Sequence, residues 1–201
     1  MILSQEFIKI KFTWRIEVNG GGKLKSDLVW IDLEMTGLDP EKEVILEIAT
    51  IMTDDRLELV AEGPNISINY PDEILENMDE WNSTHHKASG LLERVNTSPY
   101  DCRMAEKETL EFISGYCKKG EPLLCGNSVW QDRRFLIKHM PELEEFFHYR
   151  IIDVSSIKEL AKRWYPSLTA YEKKNAHLAL SDIKESISEL KYYREKVFLP
   201  N

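Results

Sequence analysis

Leu28-Val-Trp-Ile-Asp-Leu-Glu34 is an apolar run with one acid near its end and a second acid two residues on. A short continuous apolar run of this kind predicts a buried strand. Side chains two apart on a strand share a face, so Asp32 and Glu34 would present their oxygens to the same space. Hard divalent cations bind such carboxylates and offset the repulsion between them. The pair alone decides little. Acids make up 35 of the 201 residues, so acid-x-acid should arise roughly six times by chance.

Two further segments change the odds. Residues 126–136, Gly-Asn-Ser-Val-Trp-Gln-Asp-Arg-Arg-Phe-Leu, follow the apolar run Pro122 to Cys125 and lead into a helical pattern, which places Asp132 near a strand-to-helix junction. Such junctions host ligands in α/β sheets. The third segment, His177-Leu-Ala-Leu-Ser-Asp182, opens the apolar series Ala179, Ile183, Ile187, Leu190, whose spacing of four, four and three is that of a buried helical stripe. Five helical residues turn through about 500°, so His177 and Asp182 cannot ligate from one helix face. The spacing instead puts His177 at the entry to the helix as a titrating base and Asp182 on the inner face as a fixed ligand. Asp32, Glu34, Asp132, His177 and Asp182 together read as a two-metal phosphodiesterase site.

At these segments the chain resembles the DEDD-type 3′-to-5′ exonucleases with a histidine base, and among them the oligoribonucleases. The likeness spans about residues 27–198. It also takes in Met35 to Pro40, Trp81 through Leu91, Tyr149-Arg150 with Asp153 to Ser155, and Glu159 to Trp164. Several linked motifs in one order are hard to reach by chance. The resemblance implies an α/β, RNase H-like exonuclease fold with a mixed five-stranded sheet and flanking helices. It implies a 3′-to-5′ exoribonuclease that degrades short oligoribonucleotides, dinucleotides above all, to 5′-mononucleotides. Asp32, Glu34, Asp132 and Asp182 would hold two Mg²⁺ or Mn²⁺ ions, and His177 would take the proton of the attacking water.

Substrate handling follows from the same resemblance. Leu38 would be an apolar wedge against the bases, Trp81 a stacking platform and His86 a substrate-side histidine. Read without the resemblance, Leu38 and Trp81 would be core residues by roughly four to one; their place inside matching family segments favours binding. Ser128, Arg150 and Ser155 would surround the terminal 5′-phosphate, with Tyr149 reaching that phosphate from the partner subunit of a homodimer. The plain alternative makes Arg150 a surface cation and the serines turn or cap residues, Ser155 being placed to precede the Ile157 helix. A broader exonuclease acting on longer RNA or DNA would carry the same five residues; Leu38, Trp81 and the Tyr149-Arg150 segment speak against it. A catalytically silent nucleotide-binding module would have no need to retain every acid and the histidine.

The formal net charge of −9 disfavours long, non-specific contact with a phosphate backbone, while a substrate of a few nucleotides needs few cations beyond two divalent ions. Three cysteines, Cys102, Cys117 and Cys125, form no CxxC pair and leave an odd count, which fits a reducing cytoplasm. No apolar run reaches the roughly 18 residues of a membrane span, and no signal peptide is evident.

The chain divides into residues 1–26, an N-terminal extension of unknown role, and residues 27–201, a single exonuclease domain. Ile8, Ile10, Phe12, Trp14, Ile16 and Val18 alternate with polar residues at the period of a half-buried strand, equally readable as an added arm or as upstream sequence without function. Past the first strand, Val44 to Met52 and Leu57 to Ala61 predict an antiparallel meander about an Asp54-Asp55 turn, with 65–69 extending or following its last strand. A helix is then expected over 103–119, a strand over 122–125, a helix over 130–140 and a strand over 150–154. Ile157, Leu160, Ala161 and Trp164 give a final apolar helix face.

Overall fold

The computed structural model describes residues 28–172 and 178–199. The alternating stretch before residue 27 and the position of His177 both lie outside the described residues. Strands Leu28–Met35 (β1), Ile45–Thr53 (β2) and Leu59–Ser67 (β3) form the expected antiparallel meander, and residues 65–67 extend its last strand. Its second turn, from β2 to β3, is built on Asp54, whose Oδ1 accepts from the backbone N–H of Arg56 and Glu58.

Three helices follow, Asp72–Glu76 (α1), Glu80–Ala88 (α2) and Leu91–Thr97 (α3), then the longer Cys102–Ser114 (α4). The chain next alternates: Leu123–Gly126 (β4), Val129–His139 (α5), Pro141–Glu144 (α6), Ile151–Asp153 (β5), Val154–Trp164 (α7) and Ala179–Val197 (α8). The five strands make one mixed sheet in the order β3-β2-β1-β4-β5, with β1, β4 and β5 parallel. The expected α/β exonuclease sheet is therefore present. α4 stops at Ser114 rather than Lys119, because the chain turns at Gly115, whose N–H returns to the carbonyls of Phe112 and Ile113.

Strand alternation sorts the apolar residues of β1 onto two faces. Val29, Ile31 and Leu33 join the core beneath α4, α5 and α6, whereas Leu28 and Trp30 join the core beneath α7 and α8. By the same period-2 rule Asp32 and Glu34 belong to the α8 face. β1 pairs with β4 only from Leu28 to Trp30, so both acids stand beyond the end of β4, in the crevice outside the carboxyl ends of the parallel strands.

On α8 the predicted stripe is in place: Ala179, Ile183 and Leu190 are buried and Ile187 packs against them. On α7 it is not. Ala161 is buried and Ile157 packs beside it, but Leu160 and Trp164 remain at the surface. The contact with α8 covers a stripe narrower than the apolar pattern.

Candidate active site

One oxygen from each of Asp32, Glu34 and Asp182 lies within 4.8 Å of the others. β1 supplies the first two and the first turn of α8 the third, so residues 150 apart in sequence meet where a strand end faces a helix N-terminus. Three carboxylates so close repel one another. The Glu34 carboxyl is pushed up to about 7, first by burial, then by Asp182 and Glu47, against a smaller opposing effect of Arg94. A donor set of hard oxygens carrying excess negative charge fits divalent cations.

Asp132 stands beside this trio. It occupies the first turn of α5, as the strand-to-helix reading required, and its Oδ1 accepts the Leu33 N–H at 3.0 Å, midway between the two β1 acids. Burial holds its carboxyl above the ordinary range; the backbone hydrogen bonds oppose this and Glu34 and Asp153 add to it.

His86 is buried, its Nε2 within 2.9 Å of the Met35 carbonyl and its Nδ1 3.9 Å from Glu34 Oε2. Burial lowers its pKa, only partly offset by the Met35 carbonyl, so a neutral ring meets the Glu34 carboxyl. Sequence reasoning missed the residue behind both groups. Glu47 pairs across strands with Glu34, is buried, and is held by Arg94 at 2.9 Å and by the Ser67 hydroxyl at 3.0 Å. An acid inside the wholly apolar-looking run 45–52 was the signal available for it.

Leu38 and Trp81 are not core residues. Leu38 is 72% exposed and Trp81 59% exposed. The Leu38 carbonyl accepts from Gln131 Nε2, which ties the loop after β1 to α5, and the Trp81 ring stacks on His85 at 3.9 Å. Both side chains are held in solvent, where an apolar surface such as Leu38 can contact a base and an aromatic ring such as Trp81 can stack on one.

Ser128, just before α5, and Ser155, in the first turn of α7, meet across the turns that follow β4 and β5. Their hydroxyls are 2.9 Å apart, and the Ser128 N–H donates to both Ser155 Oγ and Asp153 Oδ1. Neither serine caps a helix through its side chain. Ser128 sits at φ 53° before α5 with no such bond, and α7 is capped by Asp153, which accepts from the Ser155 N–H. Arg150 and Tyr149 project together at the surface, the guanidinium 5.2 Å from the ring centroid.

The RNase_T family, whose description is exonuclease, matches residues 29–190. The chain is 58% identical over 171 residues to the oligoribonuclease of Ruthia magnifica subsp. Calyptogena magnifica, a match covering 85% of this chain and 95% of that one. Against the oligoribonuclease of Hydrogenovibrio crunogenus it is 56% identical over 179 residues, covering 89% and 97%. Among solved structures, the metal-free complex of E. coli exonuclease I with single-stranded DNA aligns with a TM-score of 0.65 at 13% identity. That alignment covers 85% of this chain, which spans only 40% of the exonuclease I chain, and it speaks to the fold. The chain belongs to the RNase_T exonuclease family and, within it, to the oligoribonucleases.

Proposed function

We propose that this protein is a 3′-to-5′ exoribonuclease that hydrolyses the shortest RNAs, dinucleotides above all, to 5′-mononucleotides, with residues 27–201 as its single catalytic domain. The convergence of Asp32, Glu34 and Asp182 oxygens within 4.8 Å carries the reading. These three acids, with Asp132 beside them, would hold two divalent cations, Mg²⁺ or Mn²⁺. Bound there, the cations supply Lewis acidity and charge neutralisation at the scissile phosphate. Every other contribution belongs to the chain.

His177 accepts the proton of the attacking water, a task suited to an imidazole near neutral pH. Asp132, tied to the Leu33 N–H, keeps α5 fixed against the strand that carries the other two acids. Leu38 and Trp81 hold the bases by apolar contact and stacking, and the buried His86 backs Glu34. Ser128, Ser155 and Arg150 receive the terminal 5′-phosphate, which limits the length of RNA that fits between that end and the acids. Tyr149, exposed on its own protomer, reaches the same phosphate in the partner subunit of a homodimer. The three free cysteines suit a cytoplasmic setting; among the described residues no helix is long and apolar enough to cross a membrane.

Mg²⁺-dependent release of mononucleotides from 5′-phosphorylated RNA two, four, seven and twenty nucleotides long, with DNA controls, tests this. The dimer should be turned over fastest. Faster cleavage of the twenty-nucleotide RNA would overturn the short-substrate assignment.

A further inference from the structure

The loop between β4 and α5 holds an asparagine that none of the roles above uses. Asn127 Nδ2 donates to Ser186 Oγ at 2.8 Å and to Glu189 Oε2 at 3.1 Å, while its Oδ1 accepts from Ser155 Oγ at 3.2 Å. Both donor contacts fix which way the amide faces, because only the oxygen can accept the Ser155 proton. Glu189 is itself 0% exposed and braced: Lys158 Nζ lies 2.9 Å from its Oε1, and the Tyr193 hydroxyl donates to the same oxygen at 3.4 Å. A buried carboxylate so supported is a rigid anchor, since leaving either partner unpaired would be costly.

These anchors lie on the helix that carries Asp182. Residues 182, 186 and 189 are spaced four and three, so they share one face of α8. Roughly 10 Å of helix axis separates the first from the last. One side of a single helix therefore presents an acid of the cluster at one end and the support of the Ser128 and Ser155 pair at the other.

We propose that Asn127, locked by Ser186 and Glu189, is a positioning residue that, through Ser155, sets the Ser128 hydroxyl for the terminal phosphate at a fixed distance from the acids. The inference rests on the assignment of that serine pair to the 5′-phosphate. By accepting the Ser155 proton, Asn127 holds Ser155 in one rotamer, whose oxygen accepts the Ser128 N–H at 2.8 Å and leaves the Ser128 hydroxyl proton to donate to the phosphate. The terminal phosphate then meets a Ser128 hydroxyl held beside an ordered Ser155, and α8 makes the span between the two ends a property of one rigid element.

The measurement is the ratio of kcat/KM for a 5′-phosphorylated dinucleotide to that for its 5′-hydroxyl counterpart, at saturating Mg²⁺. Asn127→Ala should lower the ratio about tenfold, the worth of a well-placed hydrogen bond to a charged group, and leave the 5′-hydroxyl substrate nearly unaffected. Glu189→Gln keeps the side chain's size but cannot accept from both Asn127 and Lys158, and should lower the ratio by less. Thermal melting identifies a variant that fails to fold, in which case the other variant decides. Equal slowing of both substrates would mean an ordinary packing role and overturn the proposal. Arg150→Ala separates the two levels of the argument. If it abolishes the phosphate preference while the Asn127 and Glu189 variants retain it, this inference alone fails; if the unmodified protein has no preference, the phosphate-end assignment fails and this inference with it.

Discussion

Glu34 shows how one side chain couples the site to stability. Its carboxyl, raised from 4.5 to about 7, keeps a proton in the folded protein that the unfolded chain has released between those pH values. The folded state thus binds more protons in that window, and stability falls as pH rises through it, by at most about 3 kcal/mol. Glu34→Gln removes the penalty. In the absence of metal the variant should gain about 2 kcal/mol over the unmodified protein near pH 7.5, with the two converging near pH 4.5. Mg²⁺ should raise the melting temperature of the unmodified protein much more than that of the variant. Parallel pH profiles for the two proteins in urea titrations would count against a strained acid cluster. Asp32 and Glu34 were legible from sequence because period 2 is enforced by the backbone itself. Leu38 and Trp81 were legible only through the family resemblance, because an apolar side chain by itself does not announce whether it faces core or solvent; the fold around the loop after β1 and around α2 leaves both exposed. Glu47 was hidden for another reason, since its partner Arg94 is 47 residues away on α3.

Among the elements, the contact between β3 and α4 is the tightest constraint away from the chemistry. A Cβ at Gly63 would lie 2.7 Å from Phe112 Cδ1, so the buried ring fills the space that any larger residue on this strand would need. Gly63→Ala should therefore cost about 1–3 kcal/mol by overpacking, measured as a lower urea midpoint. Turnover at low temperature should be unchanged, as the acids stand on β1, α5 and α8; a loss of kcat without loss of stability would show that the strain reaches the site. The order of elements was readable from the chain because turn residues and periodicity mark where a strand or helix must end, as Asp54 does, whereas the end of α4 at Gly115 fell short of the expected Lys119. The width of a buried face was less so. Trp164 and Leu160 continue the pattern of α7 into solvent, because burial depends on how much of the helix its neighbour α8 covers.

At the scale of the whole molecule the sheet and α8 together make a short site on an acidic protein. The net charge of −9 disfavours long contact with a polynucleotide, and the phosphate end as proposed would rely on Arg150 and the serine pair. Electrostatic attraction to single strands weakens with salt in proportion to the number of phosphates contacted, with a log-log slope of about −0.7 for each. A 5′-phosphorylated dinucleotide offers two phosphates, so kcat/KM at saturating Mg²⁺ should fall only about sevenfold between roughly 50 and 200 mM KCl. An enzyme gripping six or more phosphates would lose roughly several hundredfold over the same interval. Measured side by side on the two- and twenty-nucleotide RNAs, the slopes should coincide if the proposed site grips only the two phosphates nearest the acids. A slope on the twenty-nucleotide RNA several times steeper would reveal a basic path beyond the serine pair, and the short-substrate site would then be the entrance to a longer one.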